Sequence, residues 1–268
     1  MKMYCLTIHD NHYEKIKKLG YLPVGLGNNI NSKKFITEDS IYNISKKNPF
    51  YGEYTFHYYL WKNNINHSEN NWIGFCQYRK FWAKKTHRSK INDLQDLNKN
   101  LLKEIPKELN NFESILGEPL FVNQLRLSKF IKNNFRTMLK NPSLFFNKEK
   151  RNLKFHFDMM HGKGNLDEAI KLLDSSERKD FNDFVNSEVS FNPHNMFICK
   201  SYNILNKYYE SVFPWLERCE EKFGFNLEGY GLKRIYGFLA ERYLSYWFKK
   251  YTHYKTLPII FADISDLN

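Results

Sequence analysis

The chain has 268 residues, of which 42% are hydrophobic and 17% aromatic, and 41 Lys and Arg against 29 Asp and Glu leave a net charge of +12. That length buries a sizeable core, and the composition excludes both an intrinsically disordered chain and a scaffold that depends on disulfides. No apolar run approaches the ~18 residues of a membrane span, and residues 1–10 lack a charged-then-apolar leader pattern, so a cytoplasmic location is expected.

Residues 3–8 (Met-Tyr-Cys-Leu-Thr-Ile) run apolar and β-branched into the polar His9-Asp10-Asn11, which predicts a buried first strand. Its carboxyl end, at Thr7, is a natural place for ligand contacts. Residues 20–27 are turn-rich, and a dinucleotide-binding G-x-G-x-x-G pattern fails there because Ile30 takes the third glycine position. Asn48-Pro49 reads as an N-cap with proline in the first turn, opening an aromatic helix over residues 50–61. Residues 72–78 predict a second buried strand that ends on Gln77-Tyr78-Arg79-Lys80. After a polar stretch over 86–111, strands are expected over 114–122, 196–199 and 258–262, and a long helix over 232–251. Strands alternating with helices imply an α/β layer fold without internal repeats. Cys5, Cys76, Cys199 and Cys219 form no Cys-x-x-Cys pair, and reduced core thiols are expected.

Residues 124–155 carry nine basic side chains and one acidic, Glu149. On a helical wheel Phe130, Ile131, Phe135, Met138 and Leu139 share one face, while Lys129, Lys132, Arg136 and Lys140 gather on the other. Such a helix either packs on the core with a solvated basic face or lies on an anionic membrane surface. Vesicle co-sedimentation that needs anionic lipid and weakens with salt is the expected outcome of the second reading; equal sedimentation with neutral vesicles removes it.

Four segments, in order and spacing, resemble a known family. They are Asn-Ile-Ser-Lys-Lys-Asn-Pro-Phe-Tyr-Gly-Glu over 43–53, Ile-Gly-Phe-Cys-Gln-Tyr-Arg-Lys-Phe over 73–81, Asn-Met-Phe-Ile over 195–198 and Tyr-Gly-Phe-Leu-Ala-Glu-Arg over 236–242. The family is the domain of unknown function found in bacterial capsular and exopolysaccharide glycosyltransferases. Its usual His-Tyr-Arg-Arg is replaced by Gln77-Tyr78-Arg79-Lys80. The resemblance implies an α/β, single GT-A-like domain, with a mixed central sheet flanked by helices and a helical basic insertion. In that division residues 1–85 hold the donor nucleotide, 86–190 form a variable, largely helical part, and 191–268 carry the acceptor and donor-sugar part with a closing helix and strand. The implied activity moves a sugar from a nucleotide donor, a UDP-sugar favoured, to a growing surface polysaccharide, lipid-linked at the inner membrane face.

A transferase of this kind must neutralise a departing diphosphate, usually with a divalent ion held by Asp-x-Asp. No Asp-x-Asp occurs in this sequence, so no cofactor is expected, the alternative being a divalent metal held by carboxylates elsewhere, and Gln77, Tyr78, Arg79 and Lys80 stand at the strand end where that pair belongs. Arginine grips phosphate oxygens as a bidentate fork. Asn43, Ser45, Lys47 and Asn48 cluster before a helix start, where they either cap or bind the donor. Glu53 follows in the first turn, where an acidic residue also serves the helix dipole alone. Asn195, with His194 beside it, resembles the Asn that touches donor sugar or acceptor in related enzymes. Arg242 falls beside the apolar face of its helix and must either pair with a buried carboxylate or reach a diphosphate. Glu241 at the edge of that face is a base candidate, and Asp167, in a segment also resembling the family, is its competitor. The His156-x4-His161 spacing suits a zinc site poorly.

Two other readings stay open at this point. The basic charge and abundant aromatics also suit a nucleic-acid-binding protein, although the aromatics sit in apolar runs rather than among Lys and Arg. The departure at Gln77 also allows an inactive sugar-binding relative.

Overall fold

The structure is a computed structural model that describes residues 1–27, 30–63, 72–86, 89–124, 147–148 and 150–268. In chain order the strands are β1 (Lys2–Thr7), β2 (Leu22–Gly25), β3 (Ile73–Gln77), β4 (Lys80–Trp82), β5 (Ser114–Gly117), β6 (Leu120–Phe121), β7 (Ser190–Phe191), β8 (Phe197–Cys199), β9 (Tyr254–Leu257) and β10 (Ile259–Phe261). The helices are α1 (Tyr13–Lys18), α2 (Asn48–Tyr51), α3 (Tyr54–Lys62), α4 (Leu94–Asn100), α5 (Leu153–His161), α6 (Asn165–Lys171), α7 (Ser175–Ser187), α8 (Tyr202–Phe223), α9 (Tyr230–Lys233) and α10 (Ile235–Tyr251).

The alternation of side chains along a strand sorts the sequence onto two faces. In β1, Tyr4 and Leu6 enter one hydrophobic cluster while Met3 and Cys5 enter another. Ile73 and Phe75 of β3 follow the first pair and Cys76 the second; Phe197 and Ile198 of β8 divide the same way. The sheet is thus a partition. The larger cluster lies under α3, α8 and α10, with Tyr54, Tyr209, Trp215 and Tyr243 fully buried, and the smaller lies under α1, α4 and the C-terminal Ile264 and Leu267. Removing a large buried ring such as Phe75 from such a core costs about 3–5 kcal/mol.

Strand order runs β2, β1, β3, β8, β5, β9, and β4 turns back from β3 to pair with β10. The pairs β1–β2, β1–β3 and β5–β9 are parallel; β3–β8, β5–β8, β3–β4 and β4–β10 are antiparallel. This is the mixed central sheet flanked by helices that the sequence implied. All four cysteines are buried and free, as expected. Among the described residues no helix is long and apolar enough to cross a membrane. Residues 125–146, which hold most of the basic amphipathic pattern, lie outside the described residues.

Several expected boundaries shift for physical reasons. Residues 20–27 contain a strand, β2, because the missing Pro23 N–H falls on the side away from β1, where the bridge to Ile36 uses the Pro23 carbonyl and the Gly25 N–H instead. The helix expected over 50–61 is two helices, broken at Gly52, whose φ of 58° and ψ of −132° suit glycine alone. Asn48 is not the N-cap: it is the first residue of α2, and its amide donates to the Gly52 carbonyl at 3.0 Å and to the Thr55 hydroxyl at 3.3 Å, so it holds the break. The helix expected over 232–251 is likewise α9 and α10, interrupted at Arg234. The strand expected over 114–122 divides into β5 and β6, and β6 pairs with β7 outside the main sheet.

Candidate active site

Two adjoining cavities open at the carboxyl ends of the parallel strands β1 and β3, the crevice where open α/β sheets take ligands. The first, about 140 Å³, is lined by Leu6, Thr7, Ile8, Leu26, Asn48, Pro49, Gly52 and Tyr78. The second, about 170 Å³, is lined by Lys80, His194, Asn195, Tyr230, Gly237, Phe238 and Glu241. Glu53, Gln77, Arg79 and Arg234 line both and make the cavities one cleft.

Gln77, at the end of β3, wires this cleft together. Its side-chain nitrogen donates to Glu53 Oε1 at 2.8 Å and to the His194 carbonyl at 2.7 Å, and its oxygen accepts from Lys80 Nζ at 3.1 Å. The partners fix the orientation of the amide, since its NH₂ faces two oxygens and its carbonyl an ammonium. An imidazole offers one donor and one acceptor, or two donors when charged, and cannot make all three bonds. Glutamine at this position therefore has a structural use that histidine could not supply.

His194 and Asn195 carry positive φ values of 81° and 55°. Such a pair of non-glycine residues is strained, by on the order of 1–3 kcal/mol each, and persists only where neighbours over-determine it. The His194 N–H donates to Glu241 Oε1 at 2.5 Å, its carbonyl accepts from Gln77, and Asn195 Nδ2 reaches the Gly237 carbonyl at 3.4 Å. Burial, with Lys80 beside it, pushes the His194 imidazole down to about 3, so the ring is neutral near pH 7.

Arg242 was open to two partners, and the structure supplies the carboxylate. Only 1% exposed, it donates to Glu241 Oε2 at 2.5 Å and to His156 Nδ1 at 3.1 Å, with its guanidinium 3.7 Å above the Phe191 ring centre. Burial lowers the Arg242 pKa and the Glu241 charge opposes that shift. It does not line the cleft. Both Glu241 oxygens are thereby engaged.

The cations at the cleft are Arg79, Arg234 and Lys80. Arg79 is exposed, sits 4.9 Å from the Tyr78 ring centre, and has no carboxylate within ion-pair distance among the described residues. Arg234 stands 3.7 Å from Glu53 Oε2. A Cβ at Gly52 would collide with Arg234 Nη2, so glycine there gives the guanidinium its space as well as the chain its turn. Lys80 has its pKa lowered by burial, with Glu53 and Glu241 pulling the other way. Among the described residues no group of three or more His, Cys, Asp or Glu side chains converges in a way that could hold a metal ion.

Of the residues the sequence singled out, Thr7, Asn48, Gln77, Tyr78, Arg79, Lys80, His194, Asn195 and Glu241 do meet at the cleft. The Thr7 hydroxyl is already engaged, accepting from the His9 N–H at 3.1 Å and bonded to His12 Nδ1 at 2.8 Å. Besides Arg242, four others go elsewhere. Asn43 and Ser45 line a separate cavity beside β2, and Lys47 pairs with Glu220 at 2.5 Å on α8. Asp167, the competing base candidate, pairs with Lys154 at 2.7 Å and lines a depression between α6 and α7, away from the cleft. His156 faces Arg242 while His161 stacks on Phe238 at 4.0 Å, so the two imidazoles do not face a common ligand. Arg234 was missed. It belongs to none of the four family-like segments, and only the interruption between α9 and α10 turns it into the cleft.

No curated protein matches the chain significantly. Among solved structures, the apo structure of the WbbM bifunctional glycosyltransferase has a TM-score of 0.65 and 20% identity, over 98% of this chain and 45% of that one. The chain thus spans less than half the length of that structure, and the likeness is one of fold: a mixed sheet flanked by helices, shared with a glycosyltransferase. The sequence itself matches the domain of unknown function DUF4422 over residues 2–253, nearly its whole length, and the chain belongs to that family.

Proposed function

We propose that the protein is a glycosyltransferase that moves a sugar from a nucleotide-sugar donor, a UDP-sugar, to a growing capsular or other surface polysaccharide carried on a lipid. The observation that carries this reading is the meeting of Arg79, Arg234 and Lys80 with Glu53 at a two-part cleft on the carboxyl ends of β1 and β3. An acceptor hydroxyl attacks the anomeric carbon of the donor sugar, the bond from that carbon to the phosphate oxygen breaks, and the diphosphate leaves with its charge. Arg79 and Arg234 grip that diphosphate, and Lys80 adds charge in the second cavity. Glu53 takes the hydroxyl proton. It lines both cavities, and its Oε2 has only the longer Arg234 contact, whereas Glu241 is held at both oxygens. Glu241 then acts as a positioning residue for the strained His194 peptide.

Arg79→Ala and Arg234→Ala are each expected to weaken UDP binding about 10- to 100-fold, the worth of a charged hydrogen bond to phosphate. Both side chains are partly solvated, so the melting temperature changes little. Isothermal titration reads the affinity, and repeating it in excess chelator is expected to leave the wild-type value unchanged because the cations are side chains. Binding that vanishes with chelator and returns with Mn²⁺ or Mg²⁺ overturns the metal-free part of this reading.

A further inference from the structure

Tyr78 and Arg79 are the two central residues of the hairpin between β3 and β4, where Gln77 pairs with Lys80. Both of their carbonyls bond outside the hairpin, to one and the same segment. The Ala262 N–H donates to the Arg79 carbonyl at 3.2 Å and the Ile264 N–H to the Tyr78 carbonyl at 3.1 Å. That segment is in turn held to α1, where Lys15 Nζ donates to the Ile264 carbonyl at 2.8 Å and to the Leu267 carbonyl at 2.6 Å. The backbone that carries Arg79 is therefore only as fixed as residues 262–267 are.

His12 ties this segment to β1. It is 1% exposed, and no step of the proposed transfer uses it. Its Nδ1 lies 2.8 Å from the Thr7 hydroxyl at the carboxyl end of β1, and its Nε2 lies 2.9 Å from the Ser265 hydroxyl, 253 residues away in the chain. A neutral imidazole has one donor and one acceptor, and a hydroxyl can be either, so both bonds close in either tautomer. Burial pushes the His12 imidazole down to about 4, with the His9 and Lys15 charges adding to the shift and Asp263 opposing it, and the ring is neutral near pH 7. The ring also lies 5.0 Å from the Tyr78 ring, and the Arg79 guanidinium lies 4.9 Å from that same ring. Two routes thus lead from His12 to Arg79, one through Ser265 to the hairpin carbonyls and one through the Tyr78 ring.

We infer that His12 is a positioning residue for Arg79, clamping residues 262–265 against the hairpin so that the guanidinium is already in place when the diphosphate arrives. This rests on the proposed glycosyltransferase reading and deepens it by adding a residue that lies outside the cleft. Arg79 is exposed, and what holds it is the Tyr78 ring and the hairpin backbone. An arginine gives up side-chain freedom on binding, and ordering its base beforehand reduces that loss. Arg234 is placed differently, by Glu53 and Tyr230, and so serves as the control.

The experiment is a double-mutant cycle read by isothermal titration of UDP and of inorganic pyrophosphate, with a thermal melt of every variant. His12→Leu is expected to weaken both ligands about fivefold in the otherwise wild-type chain, and about fivefold again where Arg234 is already alanine, but less than about twofold where Arg79 is. His12→Gln, whose amide nitrogen reaches as far as Nε2 and keeps the Ser265 bond, is expected to recover most of the loss. Ser265→Ala removes only an exposed hydroxyl, and is expected to melt as wild type does while weakening both ligands about two- to threefold. A His12→Leu loss of the same size in the Arg79→Ala and Arg234→Ala backgrounds makes His12 a general structural residue and overturns the inference, as does no loss at all. Should His12→Leu fail to fold, the cycle is run with Ser265→Ala, and a loss that persists without the Arg79 guanidinium, or no loss, overturns it equally. Failure of wild type to bind either ligand overturns the functional reading and this inference with it, whereas every other adverse result leaves that reading standing.

Discussion

Glu53→Gln is expected to lower kcat for sugar transfer or donor hydrolysis by about 10²–10⁴-fold, the usual contribution of a positioned general base, while KM for the donor and the melting temperature stay near wild type. The conservative change keeps an oxygen that accepts from Gln77, and the contact with Arg234 at 3.7 Å is long and partly solvated, so little stability is lost. Glu241→Gln is expected to behave differently. It removes the charge that pairs with Arg242, which is 1% exposed, and leaves a buried guanidinium uncompensated at a cost of about 3–5 kcal/mol. That corresponds to a drop in melting temperature on the order of 10 °C for a chain of this size. Parallel kinetics and thermal melts separate the two carboxylates. Wild-type turnover in Glu53→Gln, with a large kcat loss and an unchanged melt in Glu241→Gln, would move the base to Glu241.

Stability is expected to fall steeply as pH drops below about 6.5, well before the carboxylates titrate. His57 is fully buried among Phe75, Phe197 and Tyr209, and burial pushes its imidazole down to about 3; His161, 5% exposed against Phe238, is pushed down to about 3 as well. The folded pKa lies below the unfolded one, so under acid conditions the unfolded chain binds protons that the folded chain refuses. Stability from these neutral imidazoles is full above about pH 6.5 and is lost progressively toward pH 3. At about pH 5 each group removes on the order of 2 kcal/mol, and the two together remove a large share of a typical domain's stability. Urea denaturation at about pH 7 and pH 5 checks this, with His57→Phe expected to recover about 2 kcal/mol of the difference, the other depressed imidazoles keeping the rest. A pH dependence of less than one proton over that interval would refute it.

The sheet was the most legible part of the molecule from sequence, and the reason is burial on both faces. β1, β3 and β8 read as continuous apolar runs because each strand feeds two hydrophobic clusters at once. The run ending at Gln77-Tyr78-Arg79-Lys80 therefore marked a strand end that the structure brings to the cleft. β2 was hidden by Pro23, which marks turns far more often than edge strands. The break at Gly52 was hidden too, since the aromatic periodicity continues across it and only the backbone angle reveals it. That break turns Glu53 toward the cleft, and so a carboxylate lining both cavities had looked like an ordinary first-turn acid. Asp167 failed for the opposite reason. Its local sequence resembled the family, yet its partner is Lys154, whose position relative to α6 no local pattern specifies. Arg242 was legible as a problem, a charge on an apolar face, without the sequence saying which solution the fold had adopted.

The amide at Gln77 has one more consequence. A side chain that neither gains nor loses a proton in water makes the cleft's central junction indifferent to acidity, so its bonds to Glu53, His194 and Lys80 persist unchanged wherever the chain stays folded. Histidine at that point would make the junction a titrating one, open or closed according to the surrounding medium. The pH–rate curve of this protein should accordingly show no limb contributed by the residue that joins the cleft's two halves.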